Sequence, residues 1–366
     1  MGVNAFFTYT VILKMGYSWQ AGLAAVFISG IIFLLISISG MRKKLITAIP
    51  KSLKIAIGAG IGFFIAFIGL ANANIIIAVS STGVELGNLA DPSVLLALFG
   101  IVVTLFLIAK KVPAAVFIGM LITAIVGIII GSTLSIDGMP SLPSSYFQSD
   151  FNMVTFGSFM DGISELFSKP FSCLIVLFSF VFVDFFETVG TLVAVSGRAN
   201  LINEKGELEN GERALVADSV GTIFGAVLGT STITTFVESS AGIEAGGRTG
   251  LCACVTGVLF LLSIFISPVV LACATSAVTA PALVAVGILM AQQLGKIDWE
   301  DFAFATSSFL TVIMMLLTYS IANGIAFGFI SYSLIMLAMK RYNDISIIIW
   351  ICDIIFILYF LSLTLL

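Results

Sequence analysis

The sequence predicts an all-α protein that crosses the membrane many times. Of its 366 residues, 59% are hydrophobic and only 10% are charged, whereas a soluble domain carries about 25% charged residues. Its uncharged runs are long, and 249–295 and 302–339 can each hold two spans of about 20 residues. A closed β-barrel is not expected, because its strands would appear as short segments of alternating hydrophobicity.

The chain contains two kinds of apolar segment, namely short half-helices and full membrane spans. Segments 1–14 and 234–245 are too short to cross a bilayer alone and carry polar side chains. Broken helices at membrane depth are tolerated where they are buried in protein or line a cavity, so we expect that of both. The remaining segments are predicted spans: 20–40, 54–72, 92–109, 113–131, 171–197, 213–230, 248–268, 276–293, 302–319, 322–339 and 346–364.

The basic residues predict how these spans are oriented. Lys and Arg cluster in short loops around 42–54, 110–111, 198–213 and 340–341, whereas 73–91 and 132–168 contain neither. The positive-inside rule places the basic loops in the cytoplasm and the other two segments outside. Span 92–109 then runs inward and 113–131 outward, which is consistent. The rule leaves open on which side 346–364 ends.

Several classes of site are not expected. The chain has no His, which is the commonest metal ligand and the usual proton relay at neutral pH. All five Cys lie in apolar spans and are predicted to pack as small hydrophobic residues. We therefore expect no metal, no cofactor, no disulfide and no nucleophile–base pair of an enzyme, and no nucleic-acid partner.

A weak internal similarity suggests a repeat. Segment 20–35 resembles 248–262, each follows a short polar half-helix, and each precedes a helix that opens near a proline, Pro50 or Pro281. The two copies are predicted to have opposite orientations. Inverted repeats with broken helices are typical of secondary transporters.

The first candidate site is an acidic stripe inside the span 171–197. Asp184, Glu187, Thr188 and Thr191 share one helical face. An acid in a span costs a few kcal/mol, so it usually faces a cavity, a partner or a substrate. The alternative is an ion pair with a cation from a neighbouring helix, although nearly all Lys and Arg lie in loops.

The second candidate site is the polar stretch 229–247. Its hydroxyls and glycines allow an extended segment before a half-helix, whose N-terminus offers free N–H groups near Glu238. The alternative is small-residue helix packing, with Glu238 near an aqueous face. Asn4 occupies the corresponding short helix at the N-terminus, and its amide can both donate and accept hydrogen bonds.

Two further acids favour structural interpretations. Asp218 interrupts the span 213–230 near Arg213, which predicts a cap or an ion pair. Glu244 lies four residues before Arg248, a spacing at which side chains pair on a helix.

Several segments resemble the AzgA-like purine permeases of the nucleobase–cation symporter group, which also includes uracil and xanthine permeases. The resemblance runs along essentially the whole chain. The segments that carry it are 1–7, 48–54, 183–195, 214–225, 228–239 and 245–251.

The resemblance implies fourteen helices in two inverted repeats of seven. A core domain, 1–40 and 171–270, would hold the substrate, and a gate domain, 41–170 and 271–366, would form the scaffold and a homodimer contact. The short third and tenth helices would lie at about 1–14 and 235–246. Family members carry two helices before the motif that begins here at Met1, so the resemblance also implies a chain that is incomplete at its N-terminus.

The resemblance further implies import of hypoxanthine, guanine or adenine with protons across the plasma membrane. Asp184 and Glu238 match the main purine-binding acids, Asn4 a third-helix asparagine and Glu187 a secondary acid. Carboxylates accept short hydrogen bonds from ring N–H groups. Because burial favours a protonated carboxyl, we expect Asp184 to carry the coupled proton, with Glu187 as second choice.

Other residues complete the expected site. Thr188 shares the acidic face, and three phenylalanines could stack on the base: Phe185, Phe186 and Phe236. Two alternatives remain open. One is a truncated paralogue that dimerises without transporting. The other is an anion carrier on the same architecture, which should present a cation or bare helix ends rather than two acids.

Overall fold

The fold is described from a computed structural model. It covers residues 2–39, 49–79, 83–134, 136, 138–143, 145–148, 153–199, 201, 211–236, 239–244 and 246–365. The chain forms two compact units. The first comprises Met1–Ile61, Met153–Val237 and Met290–Leu366, and the second comprises Gly62–Asn152 and Glu238–Leu289.

The described residues are mostly helical. The α-helices are α1 Gly2–Ala5, α2 Trp19–Ile38, α3 Lys51–Asn72, α4 Pro92–Ala109, α5 Ala115–Leu134, α6 Phe159–Ser168, α7 Pro170–Ala199, α8 Gly211–Leu228, α9 Ser239–Glu244, α10 Gly250–Ser263, α11 Ser267–Cys273, α12 Ser276–Ala291, α13 Phe302–Leu317, α14 Ile321–Ala338 and α15 Ile347–Leu365. Helix α1 continues as a π-helix over Phe6–Lys14, and short 3₁₀ turns cover Gln292–Lys296 and Tyr342–Asp344.

The helices confirm the all-α, polytopic membrane fold. Among the described residues, five helices are long and apolar enough to cross a membrane, namely α2, α3, α4, α5 and α12 with its 3₁₀ extension, and the bent pair α10–α11 makes a sixth if it is one span. The predicted span 92–109 matches α4 to the residue. Asp91 caps that helix by accepting from the Ser93 N–H at 2.8 Å, and Pro92 fits the first turn, where no N–H is needed.

In the first unit, α2 packs against α6, α7 and α8. Small residues let these backbones approach closely. A Cβ added at Gly162 of α6 would lie 2.1 Å from the carbonyl carbon of Gln20, and one at Gly30 would lie 2.9 Å from Ile223 of α8. Close approach through small residues is how membrane helices associate without a hydrophobic driving force.

The start of α2 is held by the neighbouring helix α6. Ser18 is its N-cap and accepts from the Ala21 N–H at 3.2 Å. Glu165 of α6 accepts from the Ser18 N–H at 2.9 Å and from the Ser18 hydroxyl. These hydrogen bonds lower the pKa of Glu165 below its ordinary value, because they favour the charged carboxylate.

Helices α13 and α14 form a tightly packed antiparallel hairpin in the same unit. A Cβ at Gly328 would lie 1.9 Å from the Thr311 hydroxyl oxygen, and one at Gly324 would lie 2.1 Å from Met315 Cγ. The hairpin is closed at one end by an ion pair between Arg341 and Asp301 at 2.5 Å. The two helices therefore approach closely where Gly324 and Gly328 face Thr311 and Met315.

The second unit contains α4, α5, α10, α11, α12 and a short antiparallel hairpin. Strands β1 Ile76–Val79 and β2 Gly83–Leu86 pair with Ile76 opposite Leu86. A buried apolar cluster joins the ends of α4 and α12 to the segment after α3. Its fully buried members are Ala73, Ile75, Val94, Leu96, Ala97, Met139, Ala277 and Ala280.

Three predicted elements differ from the structure. The span 248–268 is interrupted, since α10 ends at Ser263 and α11 begins at Ser267 with a bend of 90°. Pro268 explains this break, because its ring clashes with the carbonyl four residues earlier and it lacks an N–H. Pro281 lies inside α12 rather than at its opening. The described part of the half-helix 234–245 is helical only over Ser239–Glu244, and residues 234–236 are not helical.

Candidate substrate-binding site

The acidic stripe of α7 is buried within the first unit. Asp184, Glu187, Thr188 and Thr191 are between 0% and 4% exposed, so the four positions that share a face in the sequence are all inside the protein. A carboxyl this deeply buried is expensive unless polar groups surround it. The hydrogen bonds described below supply such groups.

The N-terminal helix reaches Glu187. The Val3 N–H donates to Glu187 Oε2 at 2.8 Å, and this N–H lies in the first turn of α1, where backbone donors have no partner within the helix. The positive end of the short helix therefore lies against an acid of α7. Thr191 donates its hydroxyl to the Glu187 backbone carbonyl at 2.8 Å, which leaves the Glu187 carboxylate to other partners.

The segment that precedes α9 covers the described residues 230–236 and forms neither helix nor strand. It packs on the glycine face of α8. A Cβ at Gly221 would lie 3.1 Å from the Ile233 carbonyl oxygen, and one at Gly225 would lie 3.0 Å from the Ile233 side chain. Side chains larger than glycine at these positions would push the segment away from α8.

Asp218 fixes this segment to α7 and α8. Its Oδ1 accepts from the Thr234 hydroxyl at 3.1 Å and from the Thr235 N–H at 3.0 Å. Its Oδ2 accepts from the Thr188 hydroxyl at 2.7 Å. Asp218 is only 6% exposed, so the three donors replace water around the carboxylate.

A second set of hydroxyls lies beside Asp184. The Thr222 oxygen is 2.9 Å from the Thr232 hydroxyl, and it lies 3.5 Å from Asp184 Oδ2, to which it donates. Ser231, at the start of the segment 230–236, donates to Asn4 Oδ1 at 2.5 Å. The structure therefore brings together α1, α7, α8 and residues 230–236 through polar side chains.

Not every predicted site residue can be placed. Asn4, Asp184, Glu187 and Thr188 belong to the cluster just described. Phe236 is the last described residue of the segment 230–236 and is 46% exposed. Glu238 lies outside the described residues.

The two phenylalanines of α7 and the expected Glu244–Arg248 ion pair differ in how far the structure describes them. Phe185 is buried at 5% exposure, and the Phe186 side chain lies outside the described set. The Glu244 side chain, which was expected to pair with Arg248, also lies outside it. The Arg248 guanidinium donates to the Gly247 carbonyl at 2.9 Å and to that of Ile243.

Asp218 is the residue that sequence reasoning set apart from the site. Its nearness to Arg213 predicted a cap or an ion pair, whereas the structure places it among the site hydroxyls. A sequence signal exists, because Asp218, Ser219 and Thr222 fall on one face of α8 at helical spacing. Ser219 and Thr222 are likewise buried, at 0% and 2% exposure.

This arrangement of buried acids on membrane helices can be compared with known proteins. A family model for xanthine and uracil permeases, described as the permease family, matches residues 2–327. The chain belongs to this family. It is therefore a multi-pass membrane protein of the transporter class, which agrees with the predicted fold.

Relatives of the permease are similar over almost its whole length. The guanine/hypoxanthine permease PbuG of Bacillus subtilis is 50% identical, and the match covers 99% of this chain and 80% of PbuG. The adenine permease AdeP of Escherichia coli is 38% identical over 98% of this chain and 78% of AdeP. The guanine/hypoxanthine permease PbuO of Bacillus subtilis is 40% identical over 97% and 81%.

A solved structure supports the fold of the permease. The transmembrane domain of the cyanobacterial bicarbonate transporter BicA aligns with a TM-score of 0.60 and covers 88% of this chain and 80% of that domain. Only 16% of the aligned residues are identical, so the likeness concerns the fold alone.

Proposed function

We propose that the permease imports purine nucleobases, namely hypoxanthine, guanine or adenine, together with protons across the plasma membrane. The observation that carries this proposal is the set of buried acids on α7. Asp184 and Glu187 are 3% and 4% exposed and lie beside hydroxyls and an N-terminal backbone donor. The named activities of PbuG, PbuO and AdeP support the choice of purines as substrate.

The chemistry of a purine suits such a site. A purine base presents ring N–H donors and ring-nitrogen acceptors along its edges, and a carboxylate accepts from an N–H in a short, strong hydrogen bond. Asp184 and Glu238 would accept from ring N–H groups, and Asn4 would both donate and accept. Phe236 is exposed enough to stack on a base. Thr188 would be one of the hydroxyls that line the site.

The same acids would couple transport to protons. A buried carboxyl is costly as an anion, and this cost is largest when no base is bound to it. A proton that enters with the substrate would neutralise the carboxyl after the base has left. In this scheme Asp184 carries the coupled proton, with Glu187 as second choice. The Val3 N–H on Glu187 favours the charged form of that acid, which supports Asp184 as the first choice.

The domain boundaries and the homodimer remain predictions. In this proposal residues 1–40 and 171–270 form the substrate-binding core, and 41–170 and 271–366 form the gate and carry the dimer contact. Substrate access would alternate as core and gate rock against each other, as in other inverted-repeat transporters.

The test is uptake of labelled hypoxanthine by cells that lack their own purine carriers. We expect Asp184→Asn and Glu238→Gln each to abolish uptake while the amount of permease in the membrane stays unchanged. Asp344→Asn is the matched control, because this carboxyl has a side-chain exposure of 61%. Retained uptake in both site variants would refute the assigned acids, and uptake that a protonophore leaves unchanged would refute symport.

The two alternatives give different results in the same cells. A non-transporting paralogue would be stabilised against heat by hypoxanthine without taking it up. An anion carrier would take up a small anion and show no competition by purines. The resemblance to a bicarbonate transporter does not favour that alternative, since it extends only to the fold.

A further inference from the structure

A fourth buried acid lies away from the candidate purine site. Asp353 is on α15 and is 4% exposed. Its Oδ2 accepts from the Ser333 hydroxyl of α14 at 2.5 Å, and Ser333 itself is 3% exposed. The other oxygen, Oδ1, is also buried and has no hydrogen-bond partner among the described residues.

The surroundings of Asp353 do not compensate a negative charge. Within the part of the chain that the structure describes, it makes no ion pair. Titratable side chains on the adjoining helices are Tyr332 on α14, Cys352 on α15, and Cys173, Asp184 and Glu187 on α7, while α13 carries none. Two more on these helices, Arg198 and Tyr359, have side chains outside the described set.

A comparison with Asp218 indicates the charge state. Asp218 receives three donors, on both of its oxygens, which stabilise a carboxylate. Among the described residues Asp353 receives one donor, and a carboxylate whose second oxygen lacks a partner in an apolar interior is strongly disfavoured. A proton on the carboxyl removes that cost, so this geometry favours the neutral form of Asp353.

The position of Asp353 connects it to the helix of the candidate site. It lies six residues after the start of α15, about 9 Å along the axis, close to the loop that contains Lys340 and is predicted to be cytoplasmic. One turn further on, the Phe356 ring meets the Phe182 ring of α7 edge to face, with centroids 4.6 Å apart. Phe182 precedes Asp184 by two residues.

We propose that Asp353 and Ser333 form a second proton-binding site, which exchanges its proton with the cytoplasm during transport. When the contact between α14 and α15 opens to water, the O–H bond of the carboxyl breaks, its proton passes to solvent and the electron pair stays on the carboxylate. Return of a proton restores the closed contact. The exchange step rests on the proposed symport, whereas the protonated state rests on the geometry alone.

The first experiment measures the protonated carboxyl directly. Infrared spectra of the full chain in bilayers at neutral pH should contain a carboxylic-acid C=O band that Asp353→Asn removes. Ser333→Ala should shift that band because the hydrogen bond is lost, and Asp344→Asn, which changes an exposed carboxyl, should leave it in place. If the carboxylic-acid C=O band is unchanged in Asp353→Asn, the proposal is overturned.

The second experiment tests the exchange step in proteoliposomes. An asparagine has the shape of the protonated acid but cannot release a proton. Asp353→Asn should therefore keep hypoxanthine counterflow and lose the acceleration of net uptake by an inward proton gradient, while Asp344→Asn keeps both. Acceleration that persists in Asp353→Asn would overturn the exchange step. Absence of any uptake by the wild type would instead refute the proposed function, and the infrared result would still decide the proton site.

Discussion

At the scale of single residues, the candidate site is organised by threonine hydroxyls around carboxylates. Thr188 and Thr234 both direct their hydroxyls to Asp218, and Thr222 lies beside Asp184. A threonine is close in shape to a valine, so these positions remain compatible with an apolar helix while each adds one donor. These hydroxyls thereby help to solvate the carboxylates.

Asp218→Ala should weaken both the fold and the site. The substitution leaves the Thr235 N–H and two hydroxyls without their acceptor, and a buried donor without a partner costs about 1–3 kcal/mol. We expect a loss of about 2 kcal/mol or more in unfolding free energy, measured as a lower thermal midpoint in detergent, and weaker hypoxanthine binding.

Asp218→Asn is the matched variant for this prediction. Its amide oxygen can still accept from the Thr235 N–H, and its NH₂ group can donate to a threonine oxygen. It should retain most of the stability that alanine loses. Equal losses in the two variants would mean that the negative charge, rather than the hydrogen bonds, holds the segment.

Residue spacing predicted one half of this site and missed the other. Asp184, Glu187, Thr188 and Thr191 lie on one helix, so their common face follows from a period of 3.6 residues. The partners of Asp218 lie on α7 and on 230–236, and no local pattern states which part of α8 that segment packs against. That contact depends on glycines at 221 and 225, whose role appears only in three dimensions.

At the scale of elements, α2 is positioned by close backbone contacts. On α6 the close contact is at Gly162. A Cβ added there would meet the backbone of Gln20 rather than a flexible side chain. Backbone atoms cannot move aside as a side chain can, so the whole of α6 would have to shift.

Gly162→Ala should therefore separate α6 from α2. Overpacking in a filled interior costs about 1–3 kcal/mol, and the hydrogen bonds from Ser18 to Glu165 would lengthen as well. We expect a clear drop in the thermal midpoint of the purified permease. Gly295→Ala is the control, because nothing lies within 4 Å of an added Cβ there, and similar losses in both variants would contradict this packing.

The ion pair that closes the α13–α14 hairpin should contribute a small, pH-dependent stability. The hydrogen bond from Arg341 lowers the pKa of Asp301 below its ordinary 3.8. Because the folded-state pKa is the lower one, the contribution is fully present above pH 3.8 and is lost as the pH falls through the folded-state value. At neutral pH we expect about 0.2–1 kcal/mol for this partly exposed pair.

Two substitutions of Asp301 distinguish its ion pair with Arg341 from its role as the N-cap of α13. Asp301 also accepts from the Ala303 N–H at 2.9 Å as the N-cap of α13. Asp301→Asn keeps a good cap and loses only the pair, and Asp301→Ala loses both, which adds about 1 kcal/mol. Wild type should have the higher thermal midpoint at pH 7, and the midpoints of wild type and Asp301→Asn should converge once the pH is below the folded-state pKa of Asp301. A difference that persists in that acid range would contradict this assignment.

Elements differed in how far their sequence specified them. Helix α4 was predicted to the residue because Asp91 and Pro92 mark its start. Helix α6 was missed, since ten residues that are apolar on one face only do not resemble a span. The β1–β2 hairpin was missed too, because its four-residue strands are shorter than any periodicity can establish.

At the scale of the whole molecule, the distribution of Lys and Arg predicts which loops face the cytoplasm. Asn88 precedes α4 and should lie outside, and Glu300 precedes α13 and should lie inside. Both residues are exposed. In a background without the five native cysteines, an impermeant thiol reagent should label Asn88→Cys in intact cells and Glu300→Cys only after permeabilisation. The reverse pattern would invert the orientation of every span.

The backbone contact between α13 and α14 restricts how the permease can change shape. With Gly324 and Gly328 seated against Met315 and Thr311, neither helix can slide past the other without steric collision. The two helices are therefore expected to move together as one rigid unit. We expect bending during a transport cycle to occur at the connections before Phe302 and after Ala338, and the second of these leads into the helix that carries Asp353.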